Sequence, residues 1–375
     1  MKTPADLQTL MCNELEAYRE KHGMSSRERQ VCEHIKSCRT AAMGGRHRAC
    51  SECEYTDQQY HSCRDRHCPK CQRDLSEQWC ERQRANLLPV TYHHLVFTLP
   101  SSLNRWVSLY PDLIYHLLFQ CAWNTLKTLG ADPKRLNGQM GLTAVLHTWG
   151  EDLSRHVHLH CIVPGGALGS DGCWHSARSN YLFPVRVLSR HYQGMMVSAL
   201  RRASTEGGTP GTSPCEVNML LNGLMKKDWV VYSKPCPTKT RTVVDYLGRY
   251  SHRIAISDQR IGSIDNGEVR FSVKDYSANG VRRERVLSVD EFIRRYLLHV
   301  LPKGLMRIRH YGFLSNRCRR KKLASLRDAI AYFTSNGLQP LSEPSRSTVK
   351  TQCPRCKQGQ MQTLYELLPK KLREA

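Results

Sequence analysis

The chain has 375 residues, enough for two or three domains and at least one sizeable core, and its 56 Lys and Arg against 33 Asp and Glu leave a net charge of +23. That surplus favours a polyanionic partner, because each phosphate neutralised releases counterions. No run approaches the ~18 apolar residues of a membrane span, and the opening Met1-Lys2-Thr3-Pro4-Ala5-Asp6 has no apolar signal core, so a cytoplasmic protein without membrane contact is expected; in that reducing compartment 17 clustered cysteines argue for metal rather than a disulfide framework.

The pattern predicts a helix over 3–22, with Pro4 at its start, a stripe of Leu7, Leu10, Met11, Leu15 and Tyr18, and Gly23 as its stop. A second helix is expected over 26–37. Residues 38–80 lack periodicity but hold Cys38, Cys50, Cys53, Cys63, Cys68, Cys71 and Cys80, which reads as a loop-rich module organised by metal. Residues 92–99 read as a strand closed by Pro100, 111–129 as an apolar helix ended by Gly130, and 142–147 as a second strand. A third strand over 156–163 is broken by Pro164-Gly165-Gly166. Residues 203–215 read as a flexible loop. Trp229-Val230-Val231-Tyr232 reads as a strand, 240–250 as a helix, and Ile254 and Ile256 as part of another strand. A hairpin over 260–275 turns at Asp265-Asn266-Gly267. Ser288 and Glu291 form a capping-box signature that opens a helix carrying Phe292, Tyr296, Leu297 and Val300. The tail from 313 is basic and contains Cys353-Pro354-Arg355-Cys356. The implied organisation is 1–85, 86–312 and 313–375.

Two C-x2-C pairs, Cys50/Cys53 and Cys68/Cys71, have the spacing of a tetrahedral thiolate site for Zn2+. Cys38, His47, Cys63 and His67 remain in the same stretch and can complete a second one. Cys353/Cys356 supplies only two ligands, and either borrows others or binds nothing. A closed four-ligand site is structural, so the module is expected to bind or orient DNA.

The strand from Arg155 to Val163 places His156, His158, His160 and Ile162 on one face and the apolar row Val157, Leu159, Cys161 and Val163 on the other. Imidazoles at i and i+2 can share one metal ion. Tyr246 and Tyr250 lie at i and i+4, on one face of a helix, with Gly248 between them at a cost of about 1 kcal/mol against Ala. A phenol is a poor nucleophile at its free pKa near ~10, and metal polarisation of a phosphate compensates. Displacement of a 3′-oxygen by the phenolate leaves a phosphotyrosine that conserves the bond energy.

The motifs His-Cys-Pro-Lys-Cys-Gln (67–72), His-Leu-Val-Phe-Thr-Leu-Pro (94–100), His-Thr-Trp-Gly-Glu-Asp-Leu (147–153), His-Leu-His (158–160), Tyr-Leu-Gly-Arg-Tyr (246–250) and Arg-Ile-Arg-His-Tyr-Gly (307–312) span nearly the whole chain. Together they resemble the two-tyrosine HUH transposases of rolling-circle insertion sequences, the insertion-sequence-91 family. Val157 stands where similar proteins often have Pro, and Val suits a strand better. The resemblance implies an α+β fold, with an HUH-type antiparallel sheet flanked by helices and preceded by a cysteine-rich zinc-binding domain. It implies nicking of single-stranded DNA at transposon ends and target DNA through 5′-phosphotyrosine links, with Tyr246 and Tyr250 as nucleophiles and Mg2+ or Mn2+ between the histidines. It further implies structural Zn2+ on Cys50, Cys53, Cys68, Cys71, Cys38 and Cys63, and a protein associated with the bacterial nucleoid when bound to DNA. His158 and His160 are the expected catalytic-metal ligands. His147 on the preceding strand is the candidate third, with Glu151 and His156 as rivals. Arg249, Arg253, Arg307 and Arg309 are the candidate DNA contacts. Two other readings stand beside this one: a rolling-circle replication initiator nuclease, and a zinc-dependent DNA-binding protein with an inactive core.

Overall fold

The computed structural model describes residues 5–84, 86–177, 181–236, 248, 254–275, 278, 280–333 and 352–370. It is an α+β protein whose sheets are antiparallel. Helices α1 (Leu7–His22) and α2 (Ser26–Ser37) lead in. Asp6 caps α1 by accepting from the Thr9 N–H at 2.7 Å, and the expected stripe of Leu7, Leu10, Met11, Leu15 and Tyr18 is buried. The cysteine-rich stretch is more regular than its lack of periodicity suggests. It forms β1 (Gly45–Cys50), β2 (Thr56–Tyr60) and α3 (Pro69–Arg84).

The body of the protein is a five-stranded sheet. Its strands enter the chain as β3 (Tyr92–Thr98), β5 (Gly141–Trp149), β6 (Arg155–Pro164), β9 (Val231–Pro235) and β13 (Ile308–Gly312), in the spatial order β13-β5-β6-β3-β9. The histidine strand β6 is therefore the central one. Its apolar row is fully covered: Val157, Leu159, Cys161 and Val163 are each at most 1% exposed. The cover comes from α5 (Pro111–Ala131), reached through the short α4 (Asn104–Leu109), and from α6 (Val185–Thr205), packed on α5. Helix α5 is apolar around much of its circumference because it has partners on two sides, the sheet and α6.

A small sheet of β4 (Gly138–Gln139), β7 (Gly166–Gly169) and β8 (Trp174–Ser176) follows the histidine strand. Helix α7 (Pro214–Met225) starts inside the stretch expected to be a loop. Ser213 and Glu216 form its capping box and Pro214 occupies its first turn. Ile254 and Ile256 are buried but not in a strand, since Ala255 between them takes a positive φ of 60° that breaks any ladder.

The expected hairpin is present as β10 (Ile261–Asp265) and β11 (Glu268–Asp275), joined through Asn266 (φ 50°) and Gly267 (φ 73°), the left-handed pair of a type I′ turn. Strand β12 (Val281–Ser288) completes that sheet and leads into α8 (Val289–Leu297), capped by Ser288. The tail contains α9 (Arg319–Phe333) and β14 (Met361–Leu367). Strand β14 does not trail away: it pairs with β1, so the third small sheet has the order β14-β1-β2 and joins the two ends of the chain.

Candidate functional site

Directly opposed residues of antiparallel strands share a sheet face. His158 stands opposite His147 on β5 and Thr98 on β3, and His160 stands opposite Val145 and Val96. The period of two that buries Val157, Leu159 and Cys161 on one side thus drives His158 and His160 onto the other, where His147 joins them. Ligand atoms of His147, His158 and His160 lie within 4.8 Å of one another. The three rings are 4–8% exposed. The rivals for the third place are outside the converging set: Glu151 faces Arg260 at 3.5 Å, and His156 is exposed, its ring 4.8 Å from the His158 ring and its carbonyl 2.8 Å from His158 Nδ1.

The proton arrangement suits metal binding. His158 Nδ1 is 2.8 Å from the His156 carbonyl, which can only accept, so Nδ1 carries the proton and Nε2 the lone pair. That Nε2 is 3.1 Å from His160 Nε2. Neighbouring ligands on an octahedral ion bonded at about 2.1 Å stand about 3.0 Å apart, so the pair fits one ion; the same separation also suits one N–H···N hydrogen bond. His160 Nδ1 lies 2.9 Å from His94 Nε2 on β3. An ion on His160 Nε2 requires the tautomer in which Nδ1–H donates to His94, so His94 orients the ligand. Burial pushes the His158 and His94 imidazoles down to about 4 and His160 well below its usual value, which keeps the lone pairs available at neutral pH. Among the described residues the donor set is nitrogen without a carboxylate. That composition suits Mn2+ better than Mg2+, which prefers oxygen.

Tyr246, Tyr250, Arg249 and Arg253 lie outside the described residues. Gly248, between the two tyrosines, is described. It is helical, its carbonyl accepts from Ser76 Oγ on α3 at 2.7 Å, and a Cβ there would stand 2.3 Å from Cys80 Sγ. Cys80 in turn belongs to a buried cluster with Trp79, Tyr92 and Ile162. Ile162 is on the histidine face of β6, two residues from His160. Helix α3 is therefore the spacer between Gly248 and the face that carries the imidazoles.

The cysteines are brought together differently from the expected pairing of Cys50/Cys53 with Cys68/Cys71. Cys68 and Cys71 converge with Cys38 and Cys63, while Cys50 and Cys53 converge with Cys353 and Cys356. The physical reason is strand topology: Cys50 ends β1 at the side where β14 pairs, and Cys68 begins the turn into α3 against the end of α2. In the first cluster Cys71 Sγ is 3.5 Å from Cys38 Sγ and 3.6 Å from Cys63 Sγ, near the about 3.8 Å between thiolates bonded to a tetrahedral zinc at ~2.3 Å. His67 and His47 are not in either set. His67 Nε2 accepts from the Leu301 N–H at 3.1 Å and its Nδ1 meets Asp65 at 2.7 Å, which bolts the knuckle to the body; His47 stacks on Tyr365 at 4.8 Å.

Of the candidate DNA contacts, Arg307 is buried, and burial followed by Arg66 pushes its guanidinium down to about 9, so it does not present itself to a strand. Arg309 is partly exposed and lies over the Phe119 ring at 4.3 Å. Positive charge that the sequence reading did not single out gathers on the cysteine-rich module. Arg39, Arg46, His61 and Arg64 line a hollow of about 600 Å³ beside Tyr60. His94 opens the motif His-Leu-Val-Phe-Thr-Leu-Pro, but its role beside His160 was not singled out; only the register with β6 reveals that contact.

Two family models match. One, described as "Putative transposase", covers residues 141–322, and the other, described as "Transposase zinc-binding domain", covers residues 10–99. The first contains His147, His158, His160 and the two tyrosines, and the second contains Cys38, Cys50, Cys53, Cys63, Cys68 and Cys71. The chain is 43% identical over 366 residues to "Putative transposase y4qJ" of Sinorhizobium fredii, covering 93% of this chain and 92% of the relative. It is 28% identical over 337 residues to the "Transposase for insertion sequence element IS801" of Pseudomonas savastanoi pv. phaseolicola, covering 84% and 77%. No solved structure matches. Among the described residues no helix is long and apolar enough to cross a membrane.

Proposed function

The chain belongs to the insertion-sequence-91 family of transposases, DNA-cleaving enzymes with an N-terminal zinc-binding region, and on that premise we propose that it nicks single-stranded DNA at transposon ends through Tyr246 or Tyr250 beside a divalent ion. The observation that carries the proposal is the convergence of His147, His158 and His160 on the central strands of the sheet, on the face that α3 spaces from Gly248.

When bound, a divalent ion supplies positive charge against the non-bridging oxygens of a scissile phosphate. The chain's own groups do the rest. His158 and His160 offer Nε2 lone pairs, fixed by the His156 carbonyl and by His94. The tyrosine oxygen attacks phosphorus, its bond to phosphorus forms as the bond to the 3′-oxygen breaks, and the departing 3′-oxygen takes up a proton while the phenol gives one up. The 5′-phosphate is left as a tyrosine ester. A later 3′-hydroxyl of the target reverses the step and releases the phenol. Two tyrosines allow two such links in one cycle, one to the donor end and one to the target. Exposed Tyr232 and Lys234 on β9, at the edge of the same face, suit contacts to a base and a phosphate.

The experiment mixes the protein with a single-stranded oligonucleotide from the element's end and Mn2+. Nicking is expected, with loss in EDTA and in His158→Ala and His160→Ala while DNA binding persists. Cleavage undiminished by EDTA or by either substitution overturns the metal-dependent reading. Binding without any nicking in the metal-loaded wild type returns the protein to a DNA-binding role alone.

A further inference from the structure

We propose that Cys50, Cys53, Cys353 and Cys356 form a second structural zinc site, whose ion ties the C-terminal segment to the N-terminal module. Neither matching family model reaches Cys353 or Cys356. The four sulfurs lie within 4.8 Å of one another, with Cys50 Sγ 3.7 Å from Cys356 Sγ and Cys53 Sγ 3.8 Å from Cys353 Sγ. Those separations equal the about 3.8 Å edge of a tetrahedral zinc–thiolate site and are far beyond the ~2.05 Å of a disulfide.

The backbone around the cluster is built for thiolates. The Glu52 N–H points at Cys50 Sγ and the Gly359 N–H at Cys356 Sγ, both at 3.3 Å, and such donors stabilise the charged form of sulfur. The two halves are matching knuckles, each a Cys-x-x-Cys turn. In the second, Lys357 takes a φ of 56° and its N–H returns to the Cys353 carbonyl at 3.0 Å, and the Gly359 carbonyl accepts from Cys353 N–H at 2.8 Å. Gly359 has to be glycine here, because a Cβ would stand 2.4 Å from Cys50 Sγ. The knuckles are locked to each other by Ser51 N–H to Gln360 O at 3.0 Å and Gln360 N–H to Ser51 Oγ at 3.1 Å, and β14 continues the pairing along β1 from Cys50 with Met361 to Gly45 with Leu367.

The consequence is topological. The ligands sit about 300 positions apart in the chain, on either side of the residues that carry the histidines and tyrosines. A chain truncated before residue 352 keeps the cluster of Cys38, Cys63, Cys68 and Cys71 but cannot assemble the second site. Strand β14 and Glu366, which meets Arg46 at 2.9 Å beside the basic hollow, are then no longer held by the ion.

The test is metal analysis of the purified full chain under reducing conditions, combined with mapped alkylation of its cysteines. Two zinc ions per chain are expected, with all eight clustered cysteines protected. Cys353→Ser/Cys356→Ser should lower the content to one and expose Cys50 and Cys53 to alkylation, while Cys38, Cys63, Cys68 and Cys71 stay protected and report that the module remains folded. The wild-type measurement stands alone should that variant fail to fold: Cys50, Cys53, Cys353 and Cys356 should lose protection together as a chelator is titrated. One zinc per folded chain, iron with inorganic sulfide in place of zinc, two zinc ions in the double variant, or release of the two knuckles at different chelator concentrations overturns the assignment.

Discussion

Replacing Gly248 by Ala isolates the link between the cysteine-rich module and the tyrosines. A Cβ at this position would lie 2.3 Å from Cys80 Sγ, whereas ordinary contact begins at 3.4 Å, so the segment has to retreat by about 1.1 Å (3.4 less 2.3) or the thiol has to turn away. Cys80 is only 7% exposed and packed with Trp79 and Ile162, which leaves little room for the second response. Alanine gains about 1 kcal/mol of helix propensity over glycine, and overpacking costs about 1–3 kcal/mol, so the net loss of stability is about 0–2 kcal/mol. The catalytic penalty is larger, since a misplacement of ~1 Å in a reacting group costs up to about 100-fold. Single-turnover formation of the covalent protein–DNA adduct should therefore slow by about one to two orders of magnitude, with the melting temperature nearly unchanged. Gly248→Ala/Cys80→Ala removes the obstructing sulfur and should recover most of the rate, while Cys80→Ala alone stays near wild type. An unchanged rate in Gly248→Ala, or no recovery in the double variant, refutes the reasoning.

Acid should destabilise the fold through His299, which is 1% exposed, bonded to the Leu153 carbonyl at 3.0 Å, and pushed down to about 4 by burial. Its folded value lies below the unfolded ~6.5, so the unfolded chain binds the proton more readily: stability is complete above ~6.5 and is lost as pH falls toward 4, by about 1 kcal/mol at pH 5.5 and about 3 kcal/mol at the limit. Denaturant midpoints at pH 7 and 5.5 should converge in His299→Gln relative to wild type; equal pH slopes in the two proteins contradict the assignment. Affinity for a single-stranded oligonucleotide should fall at least ~300-fold between 50 and 200 mM salt if six or more phosphates are engaged, and replacing Arg39, Arg46 and Arg64 by Ala should flatten that slope. A fall below tenfold in the wild type removes the electrostatic groove.

The histidine face was legible because a strand has a period of two: Val157, Leu159, Cys161 and Val163 could only be core, and that fixed where His158 and His160 point. The hairpin at Asn266-Gly267 was legible for a similarly local reason, the left-handed turn those residues prefer. The pairing of the cysteines was not legible, because ligand partners about 300 residues apart are joined by the β1–β14 ladder, and a ladder between distant segments leaves no local trace. The role of His94 beside His160 was hidden for the same reason. Other omissions had signals. The Leu188, Tyr192, Met196 and Leu200 stripe of α6 is periodic, and Ser213-Pro214 with Glu216 announces α7, but the run of Gly, Ser, Thr and Pro before it reads as loop. Ile254 and Ile256 show the converse: alternation that buries both side chains without forming a strand, because Ala255 breaks the backbone.

The account rests on which atom of the protein holds the DNA, and the most direct measurement is mass spectrometry of the trapped adduct. The full chain is incubated with a single-stranded transposon-end oligonucleotide and Mn2+, quenched, digested, and the nucleotide-bearing peptide sequenced. The account predicts a 5′-phosphate ester on Tyr246 or Tyr250 that disappears in the double Tyr→Phe variant. An adduct on any other residue, or one that persists in the double variant, contradicts it.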